Sequence, residues 1–274
     1  MTIPNVRSGG AMGLLAGKVA LVVGIANERS YAWHIAKALI EHGATCCYTC
    51  LPGEKNQRRT ERAVKALPAG GGDDPLIVPM DAGSDEEIDA AISAVEGRVQ
   101  ALHVLVHSIA FADREYLAHG RFIETPREAF LSAVDISAYT LLGLSRRCKD
   151  LLAKEGGSVM AMSYYGAEKV VPGYNVMGVA KATLEATARY LAGDLGQHGI
   201  RVNTISGGYL RTLASSAVGG ADKISEQNLE RSPLRRNVEG GDVGNTAVYL
   251  ASDLSAGVTG ENIYVDCGAN IVGV

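Results

Sequence analysis

The sequence predicts a single α/β domain, doubly wound around a mostly parallel seven-stranded sheet. Three observations carry this reading. Short valine-rich runs alternate with helical patterns along the chain, the runs are apolar throughout, and no repeat or low-complexity linker interrupts them. A strand reached by a helical crossover lies parallel to its neighbour and is covered on both faces, so both of its faces must be apolar. With 274 residues the chain is long enough to bury a sizeable core.

Residues 18–23 give the first strand, followed by a loop from Gly24 to Ser30 and a helical pattern through Ile35, Leu39 and Ile40. Gly43 ends that helix, residues 44–49 read as a second strand and 54–67 as a charged surface helix. Gly70, Gly71 and Gly72 precede a third strand near 76–79, after which Ser84 and Glu87 have the spacing of a helix cap. The fourth strand is expected at 102–107 and a long helix from 126 to about 152. Residues 158–162, 175–196, 200–205, 243–251 and 262–265 continue as strand, helix, strand, helix and strand. A flexible segment, 1–12, is expected ahead of a domain spanning 13–274. Between 206 and 236 the alternation is interrupted by Gly207, Gly208, Gly219 and Gly220 and a short helical portion near 223–229. An excursion after the C-terminal end of a strand is a candidate substrate lid, the alternative being an ordered surface excursion.

Composition removes several function classes. Hydrophobic residues make up 47% and charged residues 20%, which argues for a folded globule over a disordered chain. The 26 basic and 30 acidic side chains give a net charge of -4, so no global cationic field favours nucleic acid. Every apolar stretch is broken well before the roughly 20 residues that cross a bilayer, and no stable membrane insertion is expected. The first 17 residues lack the basic start and apolar core of a leader, which points to the cytoplasm. Cys46, Cys47, Cys50, Cys148 and Cys267 are an odd set, in keeping with reduced thiols. Cys46 and Cys47 are adjacent on an extended chain and point to opposite faces, so strand packing is expected and no metal.

Chemistry is concentrated at the ends of the strands. Gly24 lies where a dinucleotide pyrophosphate would meet backbone amides and a helix N-terminus, although the next positions are not the glycines of the common fingerprint. Strand two ends at Thr49 and Cys50 without an acid for ribose hydroxyls. Lys55, Arg58 and Arg59 could meet a 2'-phosphate or form a solvated helix face, so NADH and NADPH both stay open. Asp81 could reach an adenine edge or cap a turn. His107 invites a general-base role, but no carboxylate follows at a spacing that would orient its ring, so packing or a local hydrogen bond is expected. The small residues of Ser108-Ile109-Ala110 would let a flat cofactor and substrate lie against backbone. The main constellation is Ser163-Tyr164-Tyr165 followed by Tyr174 and Lys181. A tyrosine can donate to an oxygen gaining negative charge, and an ammonium can hold a sugar hydroxyl or favour that charge. Seven residues are close to two helical turns, which places Tyr174 and Lys181 on one side of a helix about 10 Å apart along its axis.

With these residues the sequence resembles the short-chain dehydrogenase/reductases, and within them the bacterial and plastid NAD(P)H-dependent enoyl-acyl-carrier-protein reductases. Ordinary relatives carry the catalytic tyrosine four residues before the lysine, where this chain has Met177; Tyr174 and Lys181 match the seven-residue spacing of the enoyl reductases. Gly24, Ser30 and Tyr31 fall in the cofactor loop, and His107-Ser108-Ile109-Ala110-Phe111-Ala112 replaces the usual asparagine-alanine-glycine stretch. Tyr164-Tyr165-Gly166-Ala167-Glu168, Arg201-Val202-Asn203 and Leu210-Arg211-Thr212 continue a likeness that runs from about Gly13 to Gly273.

The resemblance implies a Rossmann-type fold with a substrate lid and hydride transfer from NADH or NADPH to the β carbon of a trans-2-enoyl thioester on acyl carrier protein, in fatty acid elongation. It implies that Tyr174 bonds the enolate oxygen, Lys181 holds the nicotinamide ribose, and Tyr164 shapes the acyl pocket with a part in proton delivery. Asp81 with Ala82 would touch adenine, Ser108, Ile109 and Ala110 would line the cofactor, and Leu210 and Thr212 would meet its carboxamide and phosphate region. A homotetramer without metal, in a bacterial cytoplasm or of plastid type, is also implied. Tyr209 in place of proline, Cys50 in place of an aromatic, and Cys267 and Ala269 depart from the family pattern, bearing on substrate range and assembly. Arg211, Arg235 and Arg236 are candidates to meet the acidic carrier, or else form surface salt bridges or subunit contacts. A short-chain carbonyl or alcohol reductase is the alternative enzyme, with Met177 against it, and a nonenzymatic nucleotide-binding protein is the alternative class.

Overall fold

Alternate side chains of the first strand, β1 (Val19–Val23), enter two different cores: Ala20 and Val22 face one, Leu21 and Val23 the other. The computed structural model describes residues 13–69, 74–210 and 229–273, and the same two-sided burial recurs across its sheet. In chain order the elements after β1 are α1 (Tyr31–Glu41), β2 (Thr45–Cys50), α2 (Glu54–Lys65), β3 (Ile77–Pro79), α3 (Asp85–Glu96) and β4 (Val104–His107). There follow α4 (Arg127–Val134), α5 (Thr140–Ala153), β5 (Gly157–Ser163), α6 (Asn175–Leu195), β6 (Ile200–Gly207), α7 (Gly240–Ala251) and β7 (Asn262–Val265). The strands form one parallel sheet in the order β3-β2-β1-β4-β5-β6-β7, the doubly wound arrangement expected from the sequence.

One face is covered by α1, α2 and α7, whose Ile35, Leu39, Val64, Val243 and Val248 pack on Val22, Tyr48, Val106 and Met160. The other is covered by α3, α5 and α6, with Ile92, Leu141, Leu144 and Leu184 on Leu21, Leu105 and Val159. Each fully buried aliphatic side chain contributes roughly 1.5–3 kcal/mol, so the valine-rich strands are required by two covered faces. Cys46 joins the first core and Cys47 the second, as their adjacency on a strand requires, and all five cysteines are free and buried. Among the described residues no group of three or more His, Cys, Asp or Glu is placed to hold a metal ion, and no helix is long and apolar enough to cross a membrane.

Local signals set the helix starts. Ser30 caps α1 by accepting from the Trp33 amide at 3.3 Å, and Ser84 caps α3 by accepting from the Glu87 amide at 3.2 Å. The Glu87 carboxylate accepts from the Asp81 amide at 2.7 Å, tying α3 to the end of β3.

Two expectations are corrected. The long helix expected over 126–152 is divided by a π turn, Asp135–Tyr139, between α4 and α5. Its cause is a contact across the fold: the buried Ser137 hydroxyl accepts from the Phe111 amide at 3.0 Å, holding the wider turn against the loop after β4. Strand β6 runs two residues beyond the expected 205, because Ser206 and Gly207 pair with Tyr264 and Val265. The excursion toward 236 therefore begins after Gly207. Gly219, Gly220, Arg211 and Thr212 lie outside the described residues, as do the expected helical portion up to 228, the 70–72 glycines and residues 1–12.

Candidate active site

In a parallel sheet every C-terminal strand end opens on the same edge, and neighbouring strands whose connections run to opposite sides leave a crevice there. Strands β1 and β4 are such neighbours. Gly24 directly follows β1 with φ 110°, and a Cβ at this position would lie 2.2 Å from the Ser108 carbonyl oxygen and 3.1 Å from Ile109 Cγ2. The two backbones thus approach closely, and the Ser108 amide donates to the Val23 carbonyl at 3.0 Å. Beyond the loop, the Ser30 hydroxyl donates to the Asn27 carbonyl at 2.8 Å as well as capping α1. Tyr31, the first residue of α1, donates from its hydroxyl to the Gly208 carbonyl at 2.6 Å, fastening the helix start to the end of β6. Gly24→Ala is expected to lower the unfolding free energy by about 1–3 kcal/mol, from positive-φ strain and displacement of the Ser108 backbone. Urea unfolding measures it, and an unchanged midpoint would contradict the close approach.

The end of β5 and the start of α6 form the second half of the site. Tyr164 follows Ser163, a short 3-10 turn occupies Tyr165–Ala167, and Tyr174 stands at the N-cap of α6. The Tyr164 and Tyr174 rings meet edge to face, their centroids 4.9 Å apart at 67°. Gly166 makes this seat possible, since a Cβ there would lie 2.4 Å from Tyr174 Cδ1. Lys181 is buried and its Nζ donates to the Met162 carbonyl at 2.6 Å. Met177 packs in a small cluster with Leu117, Ala133, Val176 and Ala180, and its Sδ accepts from the Ser137 hydroxyl at 3.8 Å. Asn175 donates to the carbonyls of Tyr116 at 2.7 Å and Ala118 at 2.8 Å, holding the 114–118 turn beside the head of α6.

Burial sets the protonation of these groups. It pushes the Tyr174 hydroxyl far above the ordinary tyrosine range, with Tyr164 and Glu185 adding to the effect. Tyr164 is raised by burial and then by Tyr165, Asp266 and Tyr209. Both phenols keep their protons at neutral pH. Lys181 is pulled down to about 8 by burial, against the opposing pull of Glu185. His107 is pushed down to about 3 by burial and by Lys181, so its ring is neutral. Because Thr140 donates to the Ile136 carbonyl at 2.8 Å, the ring Nε2–H of His107 donates to Thr140 Oγ1, also at 2.8 Å. His107 has the local hydrogen bond expected of it.

Most of the expected site residues reach this edge. Gly24, Ser30, Tyr31, Ser108 and Ile109 gather at the β1–β4 crevice, with Ala110 exposed next to it. Tyr164, Tyr174 and Lys181 gather at the end of β5. Leu210 follows β6 and is partly exposed. Asp81 and Ala82 lie at the far side, after β3, where Asp81 Oδ1 accepts from the Gly83 amide at 2.9 Å in a turn role. Thr212 lies outside the described residues. Of the basic candidates, Arg58 pairs with Glu54 and Arg59 with Asn56, while Arg236 grips Asp242 through two contacts at 2.6 and 2.9 Å. Arg235 donates to the Glu230 carbonyl. Ser137 and Thr140 carry no signal in the sequence, and Glu185 carries one only in its position one helical turn after Lys181.

The family described as enoyl-(acyl carrier protein) reductase matches residues 24–270. The enoyl-[acyl-carrier-protein] reductase [NADH] FabI of Bacillus cereus is 47% identical over 262 residues, covering 96% of this chain and 100% of that protein. The enzyme of the same name from Synechocystis is 47% identical over 264 residues, covering 95% and 99%. Among solved structures, the Bacillus cereus enoyl-acyl carrier protein reductase with NADP+ and indole naphthyridinone superimposes with a TM-score of 0.92 at 46% identity, covering 96% of this chain and 100% of its own. The Anaplasma phagocytophilum reductase in complex with NAD gives a TM-score of 0.88 at 42% identity, covering 96% and 97%.

Proposed function

The chain belongs to the enoyl-(acyl carrier protein) reductase family, and we propose from that premise that it reduces the carbon–carbon double bond of a trans-2-enoyl thioester carried on acyl carrier protein. The observation that carries this reading is the pair at the head of α6: a protonated Tyr174 hydroxyl with no hydrogen-bond partner among the described residues, and a buried Lys181 one face along the same helix.

The crevice fits a dinucleotide. Gly24 and Ser108 leave no room for a side chain between them, which suits a pyrophosphate laid on backbone at the start of α1. Ser30, Tyr31, Ser108, Ile109, Ala110 and Leu210 would line NADH or NADPH, with Asp81 and Ala82 toward the adenine and Thr212 beyond Leu210. Lys181 spends one of its three N–H donors on Met162 and keeps two for the hydroxyls of the nicotinamide ribose. When bound, the reduced nicotinamide supplies the hydride delivered to the β carbon.

Tyr174 donates to the thioester carbonyl oxygen. As the β carbon is reduced, negative charge grows on that oxygen, and a donor already in place there lowers the barrier without reorganising. Its raised pKa keeps the proton on the phenol while the bond forms. Tyr164, also protonated, walls the acyl side and is a source of the proton that the α carbon takes up, restoring the carbonyl and leaving a saturated thioester. A carbonyl reductase of this superfamily would place its tyrosine at 177, and Met177 is packed in the cluster beneath the site.

Initial rates of NADH and NADPH oxidation, with a trans-2-enoyl thioester and separately with a simple ketone, test the reading. Enoyl-dependent oxidation is expected; reduction of the ketone alone, or silence with both, would overturn it. The exposed Leu131, Tyr139 and Leu142 along α4, the π turn and α5 support self-association, for which family membership suggests a homotetramer, and five free cysteines suit a reducing compartment such as a bacterial cytoplasm.

A further inference from the structure

Glutamate is rarely buried without a partner, and Glu185 is only 6% exposed. It follows Lys181 by four residues, so both side chains leave the same face of α6. That face lies on the end of β5. Lys181 is bonded to the Met162 carbonyl, and Glu185 Oε1 accepts from the hydroxyl of the next residue, Ser163, at 2.5 Å. The same oxygen accepts from Asn262 Nδ2 at 3.2 Å, at the start of β7. Thr204 Oγ1 donates to Asn262 Oδ1 at 2.9 Å, which turns the amide nitrogen toward Glu185. Two donors therefore converge on one carboxylate oxygen, an arrangement that favours its ionised form.

We propose that Glu185 is a positioning residue for this site, holding Lys181 as an ammonium and fixing α6 against the ends of β5 and β7. The proposal rests on the reading of Lys181 as the group that holds the cofactor ribose. Lys181 faces the neutral His107 from β4 and Glu185 on its own helix. Around Glu185 stand Lys181 and Arg189 on its own helix, which favour ionisation, and Glu168 after the 3-10 turn, which opposes it. Tyr264 of β7 and Tyr174 complete the set. Burial works against both charges, and each charge offsets part of the other's cost.

NADH affinity measured by fluorescence across pH tests the proposal, with urea unfolding as the control for folding. The wild-type chain should lose affinity as pH rises through about 8, where Lys181 gives up its proton. In Glu185→Gln that fall should move down by about one pH unit, making the affinity about 5–10-fold weaker than wild type at about pH 8.5 and close to wild type at about pH 6. Glu185→Asp retains a shortened charge and should fall between the two; if the Gln variant does not fold, the Asp variant decides alone. A purely structural role would weaken binding equally at every pH. An inflection in the Gln or Asp variant equal to wild type would overturn the proposal. Lys181→Met separates the two readings. If the inflection survives in Lys181→Met, the reading of Lys181 itself fails; if it disappears there but is unmoved in the Glu185 variants, only the role of Glu185 fails.

Discussion

Tyr174→Phe is expected to lower kcat with an enoyl thioester by about 10²–10³-fold, with NADH affinity and the unfolding midpoint close to wild type. The asymmetry follows from where the hydroxyl sits. Phenylalanine retains the ring, and so the edge-to-face contact with Tyr164 and the seat made by Gly166. The hydroxyl has no hydrogen-bond partner among the described residues, so removing it breaks no hydrogen bond among them. What disappears is a donor to an oxygen that becomes strongly negative only as the reaction proceeds, which registers in kcat far more than in KM. Stopped-flow rates with the thioester, together with a cofactor titration, check both parts. A variant that turns over at the wild-type rate would remove Tyr174 from the centre of the chemistry.

Lys181→Met should have opposite effects on function and stability. Two charge-assisted hydrogen bonds to a ribose, at roughly 1.5–3 kcal/mol each, correspond to about 10²-fold or more in cofactor affinity. The same ammonium is a burden on the folded chain. Burial pulls its pKa from 10.5 to about 8, so the folded state binds this proton more weakly than the unfolded state does. The resulting cost, on the order of 3 kcal/mol, is fully present below about pH 8 and fades as pH rises toward 10.5, where the unfolded chain also loses the proton. Losing the bond to the Met162 carbonyl offsets about 1–2 kcal/mol of the gain. Lys181→Met is therefore expected to unfold at higher urea than wild type near pH 7, with the difference narrowing near about pH 10. A lower midpoint at neutral pH with no narrowing would contradict the buried-ammonium account.

The strand and helix order was legible because a doubly wound sheet needs apolar runs of strand length separated by amphipathic stretches, and the run 262–265 coincides with β7. Tyr174 and Lys181 were legible because their spacing is a property of one helix. The features that escaped depend on distant partners. Nothing within 126–152 breaks the helical period; the π turn there answers to Phe111, 26 residues before Ser137. Glu185 is an ordinary helix glutamate until Ser163 and Asn262, 22 and 77 residues away, are brought onto it. For Arg58 and Arg59 the sequence left two readings open, a 2'-phosphate contact or a solvated helix face, and on the exposed face of α2 they engage Glu54 and Asn56.

The division of thiols between the two faces of the sheet has a practical consequence. Cys46, on β2, is sealed on the side of α1 and α2, whereas Cys47 and Cys148 are sealed on the side of α3, α5 and α6. A thiol-reactive probe has no access to any of the three while its layer is in place, so each alkylation event dates the detachment of one layer. Peptide mapping of partly alkylated chains would then give the sequence in which the two layers come off, with no label introduced by mutation and the native side chains acting as the clock.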